Sequence, residues 1–159
     1  LYGCETLTLV PHKAMAKPIK LKGNEDASVL VNGQIGTDRI FQHHEWLEIG
    51  EQGMEALVDL ESAIDISSVE LGYQAGQYRE LYLPSSITIE VSTNRDTWKT
   101  VSEIGNTMIK ASVPRIIINF DTESTQYVRV TLENSNRDYS EEDRAIIAMP
   151  VYLDEIIVN

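Results

Sequence analysis

Few side chains in this sequence are arranged for covalent catalysis. Cys4 is the only cysteine among the 159 residues, and His12 follows it eight positions later. A lone cysteine near the start of a chain is usually inert. No serine stands in a Gly-x-Ser-x-Gly turn, the motif that exposes the nucleophile of many hydrolases. The sequence therefore shows no nucleophile with a base beside it.

Histidines and carboxylates give no stronger catalytic pattern. His43 and His44 are adjacent, so on a strand they would point to opposite faces, and no HExxH spacing accompanies them. Acidic runs such as Glu141-Glu142-Asp143 are typical of a solvated face in an acidic chain. Glycoside hydrolysis needs two carboxylates that converge in a cleft, and the sequence gives no sign of convergence. We predict that the chain is not an enzyme.

The charge balance excludes several partners. The chain has 13 Lys and Arg against 25 Asp and Glu, a formal net charge of −12. Nucleic-acid binding depends on cations that neutralise phosphates, and anionic membrane lipids attract basic segments, so neither partner is expected. No apolar run approaches the roughly 18–20 residues that a membrane span requires. The first ten residues lack the pattern of a signal peptide, so the chain is either a mature protein or a piece of a longer one, and we expect the second.

Composition and periodicity favour strands. Ile, Val and Thr make up 40 of the 159 residues, which suits β-structure. Apolar and polar residues alternate over 54–60, 86–92, 116–120 and 128–132, and a β-like run ends the chain. Polar turn clusters separate these runs, at 61–62, 93–96, 121–124 and 134–136. This spacing of short strands, without a long helical period, predicts a single all-β domain, either a sandwich or a barrel.

Three local features refine this prediction. Asn32-Gly33 suits a turn in which a residue adopts a positive φ. Pro84 directly precedes an alternating run. At the start of a strand, the backbone N–H that proline lacks is not needed for hydrogen bonding to a neighbouring strand. We expect the rings of Trp46 and Trp98 to be buried between two sheets.

The order of motifs resembles the discoidin domain, also called the coagulation factor V/VIII type C domain. The pieces that match, in order, are Val31-Asn32-Gly33, Trp46, Val58-Asp59-Leu60, Pro84 to Trp98, Tyr127-Val128-Arg129-Val130 and Asp154-Glu155-Ile156. The resemblance implies a galactose-binding-like β-sandwich, or jelly roll, over residues 28–159, with residues 1–27 as a lead-in strand and loop of the same domain. Bacterial members of this family are widely used as carbohydrate-binding modules.

In detail the chain is most similar to the domain at the C-terminus of Bacteroides-type β-hexosaminidases or chitobiases. The segment Pro11 to Ile19 resembles the A-x-x-K-P lead-in of those domains, as does the stretch from Gln74 to Pro84. Two departures stand out: Asn32 replaces the usual Asp, and the paired cysteines of the animal members are absent.

The resemblance also implies where a glycan would bind, because such sandwiches present their ligand on loops at one end. An aromatic ring stacks on the sugar while polar groups bind its hydroxyls, and ligand sites in general pair apolar walls with a few polar groups. The candidate ligand-binding residues are His43, Trp46, Gln74, Gln77, Tyr78, Arg79 and Tyr139. The alternative for Tyr78 and its neighbour Tyr82 is packing on the rim of the sandwich.

A structural Ca²⁺ ion is implied in the same way. In bacterial members it joins the first turn to an acid of the last strand, which here corresponds to Asn32, Thr37 and Glu155, with backbone carbonyls between 29 and 36. Calcium accepts amide, carbonyl and carboxylate oxygens, so Asn32 is admissible although it brings one charge fewer than Asp. In the alternative, Asn32 caps the turn and Glu155 forms a salt bridge with a neighbour.

The resemblance thus implies a non-catalytic carbohydrate-binding module. It would belong to a periplasmic, cell-surface or secreted glycoside hydrolase and bind a glycan of the galactose or N-acetylhexosamine type. Its second partner would be the catalytic domain of the same polypeptide. The alternative is a structural or protein-interaction domain without sugar binding, since a fold does not fix a function.

Overall fold

The computed structural model describes residues 9–23, 26–36, 45–49, 53–74, 84–105, 109, 115–133 and 151–159, with Gln74 and Val151 described by their backbone alone. Seven strands and one 3₁₀ turn, Ser28–Val31, are its regular elements: β1 Ile19–Leu21, β2 Leu47–Ile49, β3 Met54–Gln74, β4 Ser86–Ser92, β5 Lys99–Gly105, β6 Arg115–Glu133 and β7 Val151–Val158. In this part of the chain no helix has the length and apolar character needed to cross a membrane.

The strands pair in the order β2-β7-β3-β6-β4-β5, and β1 adds to β3. Every strand pairing in the described ranges is antiparallel. The first half of β3 lies between β1 and β6, whereas its second half lies between β6 and β7. The long strands β3 and β6 therefore contribute to both layers of the sandwich.

The two long strands correct one expectation from the sequence. The polar clusters at 61–62 and 121–124 predict turns that separate strands, but β3 and β6 continue through both clusters. The β3–β6 pairing shifts register between Asp59 and Ile64, where Glu61 adopts φ 69°. Bulged, strongly bent strands tolerate polar residues at a sandwich corner, so the clusters mark a bend within each strand.

The inward residues of both layers form one hydrophobic cluster. Among its fully buried members are Ala56, Val58, Val69, Leu71, Ile87, Ile89, Val128, Val130 and Ile156. Ala56 and Val58 belong to the first half of β3, and Val69 and Leu71 to the second half. The alternation of strand side chains thus places both layers around a shared core. The predicted all-β sandwich is confirmed.

One of the two tryptophans is less buried than expected. Trp98 is only partly buried: the Arg129 guanidinium lies 4.1 Å from the centroid of its ring, and its indole N–H donates to the carbonyl of Arg95 at 2.9 Å. Its ring therefore lies on the outer face of a sheet, where cation–π contact with Arg129 is possible. Trp46 is buried, with 8% of its surface exposed, but its indole lies directly on Gly36. The prediction that Trp98 fills the space between the sheets is wrong.

Segment 9–16 is anchored to the sandwich by backbone hydrogen bonds. Val10 donates to Gly33, Ala16 to Val31 and Lys13 to Val158, at 2.7, 2.7 and 2.9 Å. This lead-in therefore packs beside both the Asn32-Gly33 turn and the last strand.

Candidate functional site

Several strand ends meet at one end of the sandwich. Gln74, at the end of β3, pairs with Tyr152 near the start of β7. Ser86, at the start of β4, pairs with both Glu133 at the end of β6 and Gly105 at the end of β5. We call this the loop end, because the chain leaves and re-enters the strands there around 75–83, 106–114 and 134–150.

Most of the predicted ligand-binding residues lie outside the described residues. They are His43, Gln77, Tyr78, Arg79 and Tyr139, and Tyr82 lies outside as well. Gln74 is placed by its backbone at the loop end, beside Tyr152. The structure therefore locates the strands that carry two of the three predicted loops, but it does not test the contacts of these side chains.

Trp46 lies beneath the chain that leads into segment 37–44. A Cβ added to Gly36 would overlap the Trp46 indole, so only glycine permits this close packing. Because Trp46 is buried, its ring serves as a support for the turn at Gly36 rather than as a platform open to solvent.

Gly36 also forms a hydrogen bond with a charged network that the sequence alone does not predict. Asp154 in β7 accepts a hydrogen bond from the Gly36 N–H at 3.0 Å and pairs with Arg115 Nη1 at 2.6 Å. Arg115 Nε in turn pairs with Glu70 at 2.8 Å. These partners come from β3, β6 and β7, so only the sheet register brings them together.

Burial controls the electrostatics of this network. Burial raises the pKa of Asp154, although Arg115 and the N–H groups of Gly36 and Glu155 favour its ionised form. Burial also opposes the charge of Arg115, but Asp154 and Glu70 outweigh it and raise the pKa of the guanidinium. An ion pair this deeply buried fixes geometry more than it adds stability, because desolvation offsets its attraction.

Glu155, the neighbour of Asp154, has a carboxylate that is fully buried. Its Oε1 accepts two hydrogen bonds, from His12 Nε2 at 2.7 Å and from the Gly33 N–H at 2.8 Å. Its Oε2 is buried and has no hydrogen-bond partner in the part of the chain that the structure describes. The structure therefore joins the Asn32-Gly33 turn to the last strand at this carboxylate.

His12 connects this carboxylate to the backbone of two further segments. Its Nδ1 accepts hydrogen bonds from the Ala14 and Val158 N–H groups, at 3.2 and 3.4 Å. Its Nε2 lies 2.7 Å from Glu155 Oε1. Among the described residues, Glu155 Oε2 has no hydrogen-bond donor.

The alternative roles of Asn32 and Glu155 are both present. The Asn32 side-chain oxygen accepts from the Gln34 N–H at 2.8 Å, so it closes the turn, and Gly33 adopts φ 78° as predicted. Glu155 has His12 as its neighbouring partner. Thr37 lies outside the described residues. Within those residues, no three His, Cys, Asp or Glu side chains are grouped closely enough to hold a metal by themselves.

Comparison with solved structures supports the architecture. A chitosan-binding module from a Paenibacillus sp. IK-5 chitosanase/glucanase matches with TM-score 0.64 at 20% identity, covering 94% of this chain and 98% of the module. The lectin domain of lectinolysin, in complex with Lewis b antigen, matches with TM-score 0.64 at 16% identity, covering 96% and 98%. A fucose-binding module of Streptococcus pneumoniae matches with TM-score 0.63 at 18% identity, covering 94% of each chain.

At these identities the likeness shows a shared fold. The chain has the β-sandwich found in carbohydrate-binding modules and lectin domains. No protein-family model and no curated protein matches the sequence.

Proposed function

We propose that this chain is a non-catalytic carbohydrate-binding module that binds a glycan at its loop end. The observation that supports this most directly is the sandwich itself, shared over more than nine-tenths of its length with modules that bind chitosan, fucose or Lewis b antigen. At the loop end, Gln74 pairs with Tyr152 and Ser86 pairs with Glu133, and the candidate glycan residues follow or precede these strand ends in the sequence.

The residues proposed to bind the glycan divide into two chemical groups. Tyr78 and Tyr139 offer rings that can stack on the apolar face of a pyranose, and the polar groups that would bind its hydroxyls are His43, Gln74, Gln77 and Arg79. Trp46 supports the site from below, since it is buried against Gly36. A shallow site of this kind contributes little binding free energy per ligand atom. We therefore expect weak affinity for a single sugar.

A structural Ca²⁺ ion fits the chemistry of Glu155 in this proposal. The buried Oε2 has no donor among the described residues, so it is an oxygen ligand available to a cation. Asn32 lies beside Gly33, whose N–H already contacts Glu155. We propose that Glu155, Asn32 and Thr37 hold the ion with carbonyl oxygens of the same turn. The bound ion would fix the turn, not take part in a reaction.

We further propose that the parent protein is a glycoside hydrolase of the hexosaminidase or chitobiase type. It would act in the periplasm, at the cell surface or after secretion, where glycans of the galactose or N-acetylhexosamine type are met. The sequence resemblance supports this assignment. A weak module attached to a catalytic domain raises the local concentration of substrate.

One observation favours the alternative of an interaction domain. Leu9 and Ile35 are 48% and 40% exposed, and Leu9 forms a bridge with Gln34, the residue before Ile35. A neighbouring domain of the same polypeptide could cover them. The titration described next distinguishes the two functions, because an interaction domain has no response to sugars.

An NMR titration of the ¹⁵N-labelled domain with methyl β-galactoside and methyl N-acetyl-β-glucosaminide tests the proposal. We expect shifts at 74–80 that saturate at millimolar sugar. Tyr78→Ala should lose about 1–3 kcal/mol, the value of the apolar contact of a large side chain. As a matched control, Tyr127→Ala removes a tyrosine that lies under Arg95 at the opposite end and should leave these shifts unchanged. The absence of a response to either sugar would favour the interaction domain.

A further inference from the structure

An open groove of about 250 Å³ lies between the β4–β5 turn and the corner of β6. Thr93, Thr97, Trp98, Lys99, Glu123 and Ser124 are among the residues that line it. The groove is at the end opposite the loop end, because β4 runs from Ser86, beside Glu133, to Ser92, beside Tyr127. A strand of this length separates the two ends by roughly 20 Å at about 3.3 Å per residue.

The wall formed by the β4–β5 turn is held in place before any ligand arrives. Asn94 Oδ1 accepts from the N–H groups of Asp96 and Thr97, at 2.9 and 3.0 Å, and Ser92 Oγ accepts from the Arg95 N–H at 2.9 Å. On the opposite wall, the buried Thr125 hydroxyl donates to the Ser92 carbonyl at 2.8 Å, which joins β6 to β4. A site that is already ordered loses little conformational entropy when it binds.

The indole of Trp98 has a fixed orientation in this groove. Its N–H donates to the Arg95 carbonyl, and Arg129, itself paired with Glu90 at 2.6 Å, covers the ring. Small-ligand sites combine an apolar or aromatic wall with a few polar groups that orient the ligand. The anchored Trp98 ring and the polar groups beside it form such a combination. The groove is slightly smaller than the roughly 300–1,000 Å³ typical for drug-sized ligands, so one sugar ring is the largest ligand expected.

The polar groups define the chemical class of ligand. Thr93, Thr97 and Ser124 are exposed hydroxyl-bearing residues, and the Lys99 ammonium pairs with the Glu123 carboxylate. The lining residues therefore carry no net charge and offer both donors and acceptors. A neutral ring with many hydroxyls matches this set, whereas a uronate or an amino sugar would leave one charge uncompensated.

We propose that this groove is a second sugar-binding site, which takes one neutral pyranose unit. With one site at each end, a single domain could bind two points on the same polysaccharide, and linked weak sites gain avidity from their effective concentration. The inference rests on the groove itself and not on the loop end, so either site can fail in a test without the other.

The experiment follows the indole N–H of Trp98 and the amides of 93–99 and 123–125 in the NMR titration with the two methyl glycosides. We expect these signals to shift and saturate in wild type and to respond equally in Tyr78→Ala. Ser124→Arg, which fills the groove from an exposed position, should weaken the response at least about tenfold. Thr122→Arg adds the same charge two residues away, at an exposed position that does not line the groove, and should bind as wild type does.

Three outcomes would overturn the inference. The first is an absence of groove shifts in wild type at sugar concentrations that are high enough to saturate ordinary millimolar sites. The second is an equal loss in Ser124→Arg and Thr122→Arg, which would indicate a charge effect. The third is a stronger response to glucuronate or glucosamine than to the neutral glycosides. Since the wild-type titration is decisive by itself, the inference does not depend on the folding of any variant.

Discussion

The carboxylate of Glu155 is completely buried, yet hydrogen-bond donors reach only one of its oxygens. A buried charge without a full partner is unfavourable, and either a proton or a cation relieves it. Among the described residues no donor reaches Oε2, so this oxygen is open to a cation bound from solution. These contacts are the physical basis for the proposed calcium site.

Calcium should therefore stabilise the domain against heat. An ion that binds only the native state adds about 2.7 kcal/mol at a hundred times its Kd, and each kcal/mol raises Tm by about 2–4 °C at this size. We expect calorimetry to show this rise between excess chelator and millimolar calcium, and Glu155→Gln to remove it. Glu103→Gln, at an exposed site on β5, should retain it. Equal Tm values for wild type with and without calcium would exclude the ion.

At the same scale, the residues of the sequence predict the turn but not its partners. Asn32-Gly33 has a local signature, because few residues other than glycine adopt a positive φ. In the sequence, His12 has only Cys4 as a nearby candidate partner, because the Glu155 that it contacts lies 143 positions away. The pair of Asp154 with Arg115, 39 positions apart, is equally invisible before the register of the strands is known.

At the scale of elements, alternation predicts β4, the first half of β3 and both halves of β6. The polar clusters at 61–62 and 121–124 wrongly predict turns between strands, because a polar cluster has the same composition whether the chain reverses or only bends. What distinguishes the two cases is long-range pairing. Thr125, next to the β6 corner, is 1% exposed, and its hydroxyl donates to the Ser92 carbonyl at 2.8 Å and accepts from the Ser92 N–H at 3.1 Å.

This contact predicts a specific loss of stability. Thr125→Val keeps the shape of the side chain but leaves both backbone groups of Ser92 without the hydroxyl, and an unsatisfied buried polar group costs about 1–3 kcal/mol. We expect urea denaturation to show that decrease in the free energy of unfolding, with an unchanged m-value. Thr122→Val, an exposed position on the same strand, serves as the control and should change stability by less than about 0.5 kcal/mol. If the two variants were equally stable, the corner would not depend on Thr125.

At the scale of the whole molecule, the order of motifs along the chain was sufficient to predict the sandwich. Each motif occupies a strand or a tight turn whose geometry limits the residues that fit. The candidate glycan residues are on irregular segments, which follow no period, so a sequence indicates their composition but not the direction of their side chains. Trp98 illustrates the same limit, since its position on the outer face follows from Arg129 and Glu90 on neighbouring strands.

The formal charge of −12 makes a last prediction about polysaccharides possible. A strongly acidic protein attracts any cationic polymer over a distance set by screening, and the Debye length falls from about 30 Å at 0.01 M salt to about 3 Å at 1 M. Retention on chitosan beads should therefore decrease steeply as salt rises. Binding of neutral glycans through stacking and hydrogen bonds should change little over the same range. Tyr78→Ala should lose neutral binding at the loop end but keep its low-salt retention on chitosan. If salt instead weakened neutral and cationic binding alike, recognition at the loop end would have to depend on charge, and stacking on Tyr78 would not be its basis.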